Sequence, residues 1–170
     1  YVLQLADNAL ILGQRLAEIC GHGPILEQDI AITNISLDLI GEARILYQYA
    51  AEIEGNGKTE DDYPYKRDAR DWQNILLVEQ PNGHFGYTII RQFMFDCYHY
   101  YHLKAMTDSS DERLAQIAAK TIKEATYHLK YSSEWVIRLG DGTQESHDKM
   151  QEALNDRIRF FDEAFIPSKI

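Results

Sequence analysis

Cysteine is nearly missing from this chain of 170 residues: only Cys20 and Cys97 occur. Both fall in helical patterns, so they are expected to act as small buried hydrophobes in a reducing, cytoplasmic compartment rather than as a disulfide framework. Long hydrophobic runs are also missing. None approaches the ~20 residues that a membrane span needs, and no signal-peptide pattern is visible. Positive charge is scarce, with 17 Lys and Arg against 27 Asp and Glu, for a net charge of -10. So acidic a chain is a poor candidate for nucleic acid or an anionic membrane. Strand-type alternation is almost absent. Gly-x-Gly-x-x-Gly, P-loop, Cys-x-x-Cys and Gly-x-Ser-x-Gly motifs do not occur. His99 and His102 share a helix at i, i+3 but lack the glutamate between them that a zincin would use. The chain starts at Tyr1 without methionine and stops abruptly at Ile170, so it is expected to be part of a longer protein.

What is present is apolar residues at helical spacing. With 45% hydrophobic and 11% aromatic residues, the chain is expected to form one domain over residues 1–170. A first helix is expected over residues 2–20, stopped by Gly21-His22-Gly23-Pro24. A second should cover 25–54, with Ile32, Ile35, Leu39 and Leu46 inward, ending at Gly55-Asn56-Gly57. Residues 58–65 read as a mobile surface loop and 66–79 as a shorter helix. After the turn at Gln80-Pro81-Asn82-Gly83, an aromatic-rich third long helix spans 84–106. Its tyrosines read as core and interface. The fourth runs from after Ser110 to Leu139, and Ser146 reads as the N-cap of a fifth carrying Met150, Leu154, Ile158, Phe161 and Phe165. The fold class is all-α, a four-helix core with additional helices.

Short loops make neighbouring helices antiparallel, so residues equidistant from a loop centre share a height. The first loop centres near position 23, which sets Asp38 opposite position 8, beside Asp7. The second centres near 110, which sets Asp96 opposite Glu124. Four acids at one level, on four helices, is the arrangement of ferritin-like di-metal bundles, which add a Glu-x-x-His step on two helices. Here Asp38 is followed at i+3 by Gly41, and the histidine after Glu124 comes one residue late, at His128. The ligand set reads as degenerate: Asp7, Asp38, Asp96, His99, Glu124 and His128, with no metal and no catalytic residue expected. A metal-free polar core is the favoured alternative to a metal centre, with Arg15, Arg44, Arg91 and Lys123 placed to reach the acids. Lys66, Arg67 and Arg70 form a small basic cluster, either a solvated helix face or an anion contact such as a nucleotide phosphate.

Four stretches carry a resemblance: Ile35-Ser-Leu-Asp-Leu-Ile-Gly-Glu-Ala-Arg44, Leu76-Leu-Val-Glu-Gln-Pro-Asn-Gly83, Ile122-Lys-Glu-Ala-Thr-Tyr-His-Leu129 and Arg138-Leu-Gly-Asp-Gly-Thr143. They resemble the C-subunit family of bacterial ring-1,2-phenylacetyl-CoA epoxidase, over the chain to about Phe165, with a poorer match from Arg157. The family continues beyond Ile170, so its C-terminal region is expected to be lacking here. The resemblance implies a ferritin-like fold and a non-catalytic structural subunit. A catalytic A-type ferritin-like subunit would hold the di-iron centre and the substrate. A reductase with flavin and iron-sulfur groups would bring electrons from NADPH. This chain is expected to bind no cofactor of its own. Two other readings stay open: an active di-metal oxygenase or oxidase with atypical ligands, and a ferritin-like protein that pairs with itself as a homodimer.

Overall fold

The computed structural model describes residues 1–166, and all regular structure among them is helical. The chain divides into two compact units, Tyr1–Val78 and Glu79–Ile166. Each contains one long helical hairpin, the building block of a ferritin-like bundle. No helix among the described residues is long and apolar enough to cross a membrane.

In the first unit, α1 (Val2–Ala17) packs along α2 (Leu26–Glu54). The packing is closest at Gly13, where a Cβ would stand 2.9 Å from Ile40 Cγ1 and 3.2 Å from the Ser36 carbonyl oxygen. Only glycine fits there, and Ser36 Oγ donates to the Gly13 carbonyl at 2.6 Å. Helix α1 ends three residues earlier than its pattern suggests. The Asp29 carboxylate accepts from the backbone N–H groups of Gly21 and Gly23, which holds the connection as a tight turn. Cys20 is therefore exposed rather than buried, and Cys97 is half-buried. Gly55, at φ 62°, closes α2 in the left-handed conformation.

The stretch expected as a mobile loop and then a helix is neither. It holds a short helix α3 (Asp62–Lys66), a 3-10 turn (Ala69–Asp71) and a one-turn helix α4 (Leu76–Glu79). Tyr63, placed in the expected loop, is only 2% exposed and stacks on Tyr47 with ring centroids 5.6 Å apart. A continuous helix cannot form because its backbone donors are taken. Gln73 N–H donates to Asp7 and Ile75 N–H to Asn8, both side chains of α1.

In the second unit, α5 (Phe85–Met106) packs along α6 (Glu112–Gly140), and α7 (Gln144–Arg157) packs on both. The N-cap of α7 is Thr143, whose Oγ1 accepts from Ser146 N–H; Ser146 instead donates its hydroxyl to the Leu139 carbonyl. The expected inward stripe of this helix holds only at its start. Met150 is buried, whereas Leu154, Ile158 and Phe165 are exposed, and the chain beyond Arg157 tightens into 3-10 turns. What anchors α7 is Arg157, buried against the Tyr87 ring and donating to the Pro81 carbonyl.

Candidate functional site

The acids single out the positions to inspect. In the first unit Asp7 is fully buried on α1. Its Oδ1 accepts from the Tyr47 hydroxyl at 2.6 Å and from Arg67 Nη2. Its Oδ2 accepts from Arg67 Nη1 at 3.0 Å and from Gln73 N–H at 2.9 Å. Two bonds at each oxygen use the lone pairs of the carboxylate, so Asp7 has none left for a metal ion. Burial raises the Tyr47 phenol pKa, and the bond to Asp7 and its charge raise it further. Arg67 Nε also donates to the Tyr63 carbonyl, and the guanidinium lies 4.7 Å from the centre of the Trp72 ring.

This changes the reading of the basic cluster. Arg67 is turned inward onto Asp7, Lys66 pairs with Asp62, and Arg70 is exposed. The three therefore do not converge on one point. The expected cations also differ from the observed one. Arg15 pairs with Glu18 and Arg44 with Glu60, while the buried Asp7 is met by Arg67.

Asp38 and Asp7 do not share a height. Ser36, Leu39 and Ile40 face Gly13, whereas Tyr47 reaches Asp7, six residues or about 9 Å back along α1. Asp38 is part-exposed, and Gly41 points outward with nothing within 4 Å of where a Cβ would stand. The buried acid of α2 is Glu42, one turn beyond Asp38. An i+3 step from Glu42 reaches Ile45, not a histidine. Gly41 in an exposed helix interior gains nothing from its missing side chain. Gly41→Ala is therefore expected to stabilise the isolated chain by about 0.5–1 kcal/mol in a urea melt.

In the second unit Asp96 is buried on α5. Its Oδ1 accepts from Gln92 Nε2 and its Oδ2 from Ser132 Oγ on α6, both at 2.7 Å. Ser132, not Glu124, is thus its hydrogen-bonded partner across the hairpin, about two turns further along α6. Burial pushes the Asp96 carboxyl up to about 6, against the opposing pull of His128, Ser132, Gln92 and His99. Arg91 donates to the Gln80 carbonyl and to Asn82 Oδ1. His128 and His99 are buried, and Glu124 is part-exposed. Counting back three from His128 reaches the buried Ala125. The histidine of α6 is therefore inward, and the glutamate that should precede it is replaced by alanine.

Each hairpin keeps buried acids and loses a partner of the Glu-x-x-His step: Glu42 is followed by Ile45, and His128 is preceded by Ala125. No group of three or more His, Cys, Asp or Glu among the described residues is arranged to hold an ion. With Asp7 fully hydrogen-bonded, the donor set does not fit a di-metal centre. What the two clusters do is join elements of the chain. Asp7 and Asn8 tie down the segment after α3, and Asp96 ties α5 to α6.

A sequence profile described as "Phenylacetic acid catabolic protein" matches residues 1–170. The chain is 51% identical over 170 residues to the C subunit of the 1,2-phenylacetyl-CoA epoxidase of Escherichia coli (strain K12), covering all of this chain and 68% of that protein. On the strength of a match along its whole length, this chain belongs to the phenylacetic acid catabolic protein family.

Proposed function

We propose that this chain is a non-catalytic structural subunit of a multicomponent oxygenase that epoxidises the aromatic ring of phenylacetyl-CoA in phenylacetate catabolism. The observation that carries this reading is the 51% identity, along all 170 residues, to the C subunit of the Escherichia coli epoxidase. The ligand chemistry supports the non-catalytic part: Ile45 and Ala125 stand where a di-metal bundle needs a histidine and a glutamate, and Asp7 is saturated by Arg67, Tyr47 and Gln73. In this reading the di-iron centre belongs to a catalytic A-type ferritin-like subunit. This chain stabilises that subunit in a cytoplasmic complex, and a reductase supplies the electrons.

The test is coexpression with the catalytic subunit, followed by gel filtration and an oxygen-dependent turnover assay with reductase. Omitting this chain is expected to abolish epoxidation through loss of the catalytic subunit's stability. His99→Ala and His128→Gln are expected to leave turnover within a few-fold wherever the complex forms. Removing a general acid or base would lower it by ~10²–10⁴-fold. An intact complex with a loss of that size would assign the chemistry to this chain.

A further inference from the structure

The first unit contains a cleft of about 340 Å³ that the buried acids do not reach. Its floor is the buried Leu10, Ala43 and Tyr47, and its walls are the part-buried Ile11, Ile40, Pro64 and Trp72. The rim carries Tyr65, 80% exposed, together with Gln14, Arg44, Glu60 and Asp61. We propose that this cleft is a socket for the guanidinium-bearing side chain of an arginine presented by a partner protein.

Three features select that occupant. The first is the aromatic wall. Trp72 is held in place by Arg67, itself fixed to Asp7 and to the Tyr63 carbonyl. A rigid indole beside an exposed tyrosine offers the faces on which a planar cation stacks. The second is charge. Two carboxylates and one cation line the cleft, and Arg44 is already engaged by Glu60. The Asp61 carboxylate makes no hydrogen bond or ion pair among the described residues, and so adds a negative charge to the rim. The net charge of -10 adds a field that draws cations and repels phosphate-bearing ligands. The third is size. The volume lies at the lower end of the range for small-molecule sites and suits one long side chain with an apolar stem against Ile11 and Ile40.

The experiment is an NMR titration of the labelled chain with benzamidine, an aromatic cation. Benzoate, of the same shape and opposite charge, and neutral benzyl alcohol are the controls. Benzamidine is expected to shift the Trp72 indole and Tyr65 signals saturably. Benzoate should bind at least about tenfold more weakly. The paired change Glu60→Gln and Asp61→Asn should weaken benzamidine by a similar factor while leaving benzyl alcohol binding unchanged and the chain folded, at the cost of no more than the exposed Arg44 pair. Equal binding of benzoate, no saturable shift, or indifference to the paired change each overturns the socket. A second titration uses the assembled oxygenase complex, and so rests on the function proposed above. Gel filtration scores assembly separately. Within a formed complex the Trp72 signal is expected to be insensitive to benzamidine, because the partner's arginine fills the socket. A formed complex that still responds overturns the assignment to a partner.

Discussion

Asp7→Ala is expected to lower the stability of the chain by about 3–5 kcal/mol, the range for breaking a buried ion pair from one side. The substitution strands more than a charge. The Nη groups of Arg67, the Tyr47 hydroxyl and Gln73 N–H all lose Asp7 as an acceptor. None of the three can turn to bulk water without moving the segment that follows α3. Arg67 would be left as an unpaired, part-buried cation between Tyr47, Tyr63 and Trp72, where stacking offsets only part of the lost pair. Urea unfolding followed by circular dichroism gives the magnitude. Limited trypsin digestion adds a local readout, because cleavage after Lys66 and Arg67 should accelerate. A loss below about 1 kcal/mol, with unchanged digestion, would mean that this network does not hold the segment.

Asp96→Asn has the opposite expected sign at neutral pH. The Asp96 carboxyl titrates at about 6 in the folded chain, against about 3.9 in an unfolded one. Between those values the folded state binds the extra proton, so stability falls as pH rises. The contribution is intact below about pH 4 and is lost as pH rises through about 6. Two pKa units correspond to roughly 3 kcal/mol, so ionised Asp96 costs about that much at pH 7.5. Asparagine keeps the size, stays neutral and can still accept from Ser132. Its NH2 can donate to Gln92 Oε1 once that amide is turned, an oxygen with no hydrogen-bond partner at present. The variant should therefore be more stable than the parent at pH 7.5 by up to about 3 kcal/mol and equal to it near pH 4. Parallel pH profiles of the urea midpoint would show instead that a nearby cation compensates Asp96.

These two acids also show what a one-dimensional pattern can and cannot carry. Asp96 was legible because Phe93, Phe95, Cys97 and Tyr98 surround it in sequence, and an acid in such company has to lie inside. Its partners were not, since Ser132 is 36 residues away and the mirror arithmetic pointed to Glu124. That arithmetic assumes loops centred between ideal helix ends. Instead Gly13 meets Ser36, Leu39 and Ile40, and Asp7 meets Tyr47, so the register of the first hairpin lies later along α2 than a symmetric loop gives. The acid that α2 buries is Glu42, one helical turn beyond Asp38.

The sequence by itself determined the all-α class, the two long hairpins, the breaks at Gly55 and near residue 110, and the family, because these rest on local spacing, turn chemistry and runs of identity. Tertiary structure decided the course of residues 58–79, where side chains of α1 take backbone donors that a helix would need. It also decided which acids are buried, which cation meets them, and that the histidine of α6 faces inward behind an alanine. Those outcomes depend on which face of each helix meets its neighbour. Helix propensity leaves that face open, and close packing, as at Gly13 against Ser36 and Ile40, fixes it.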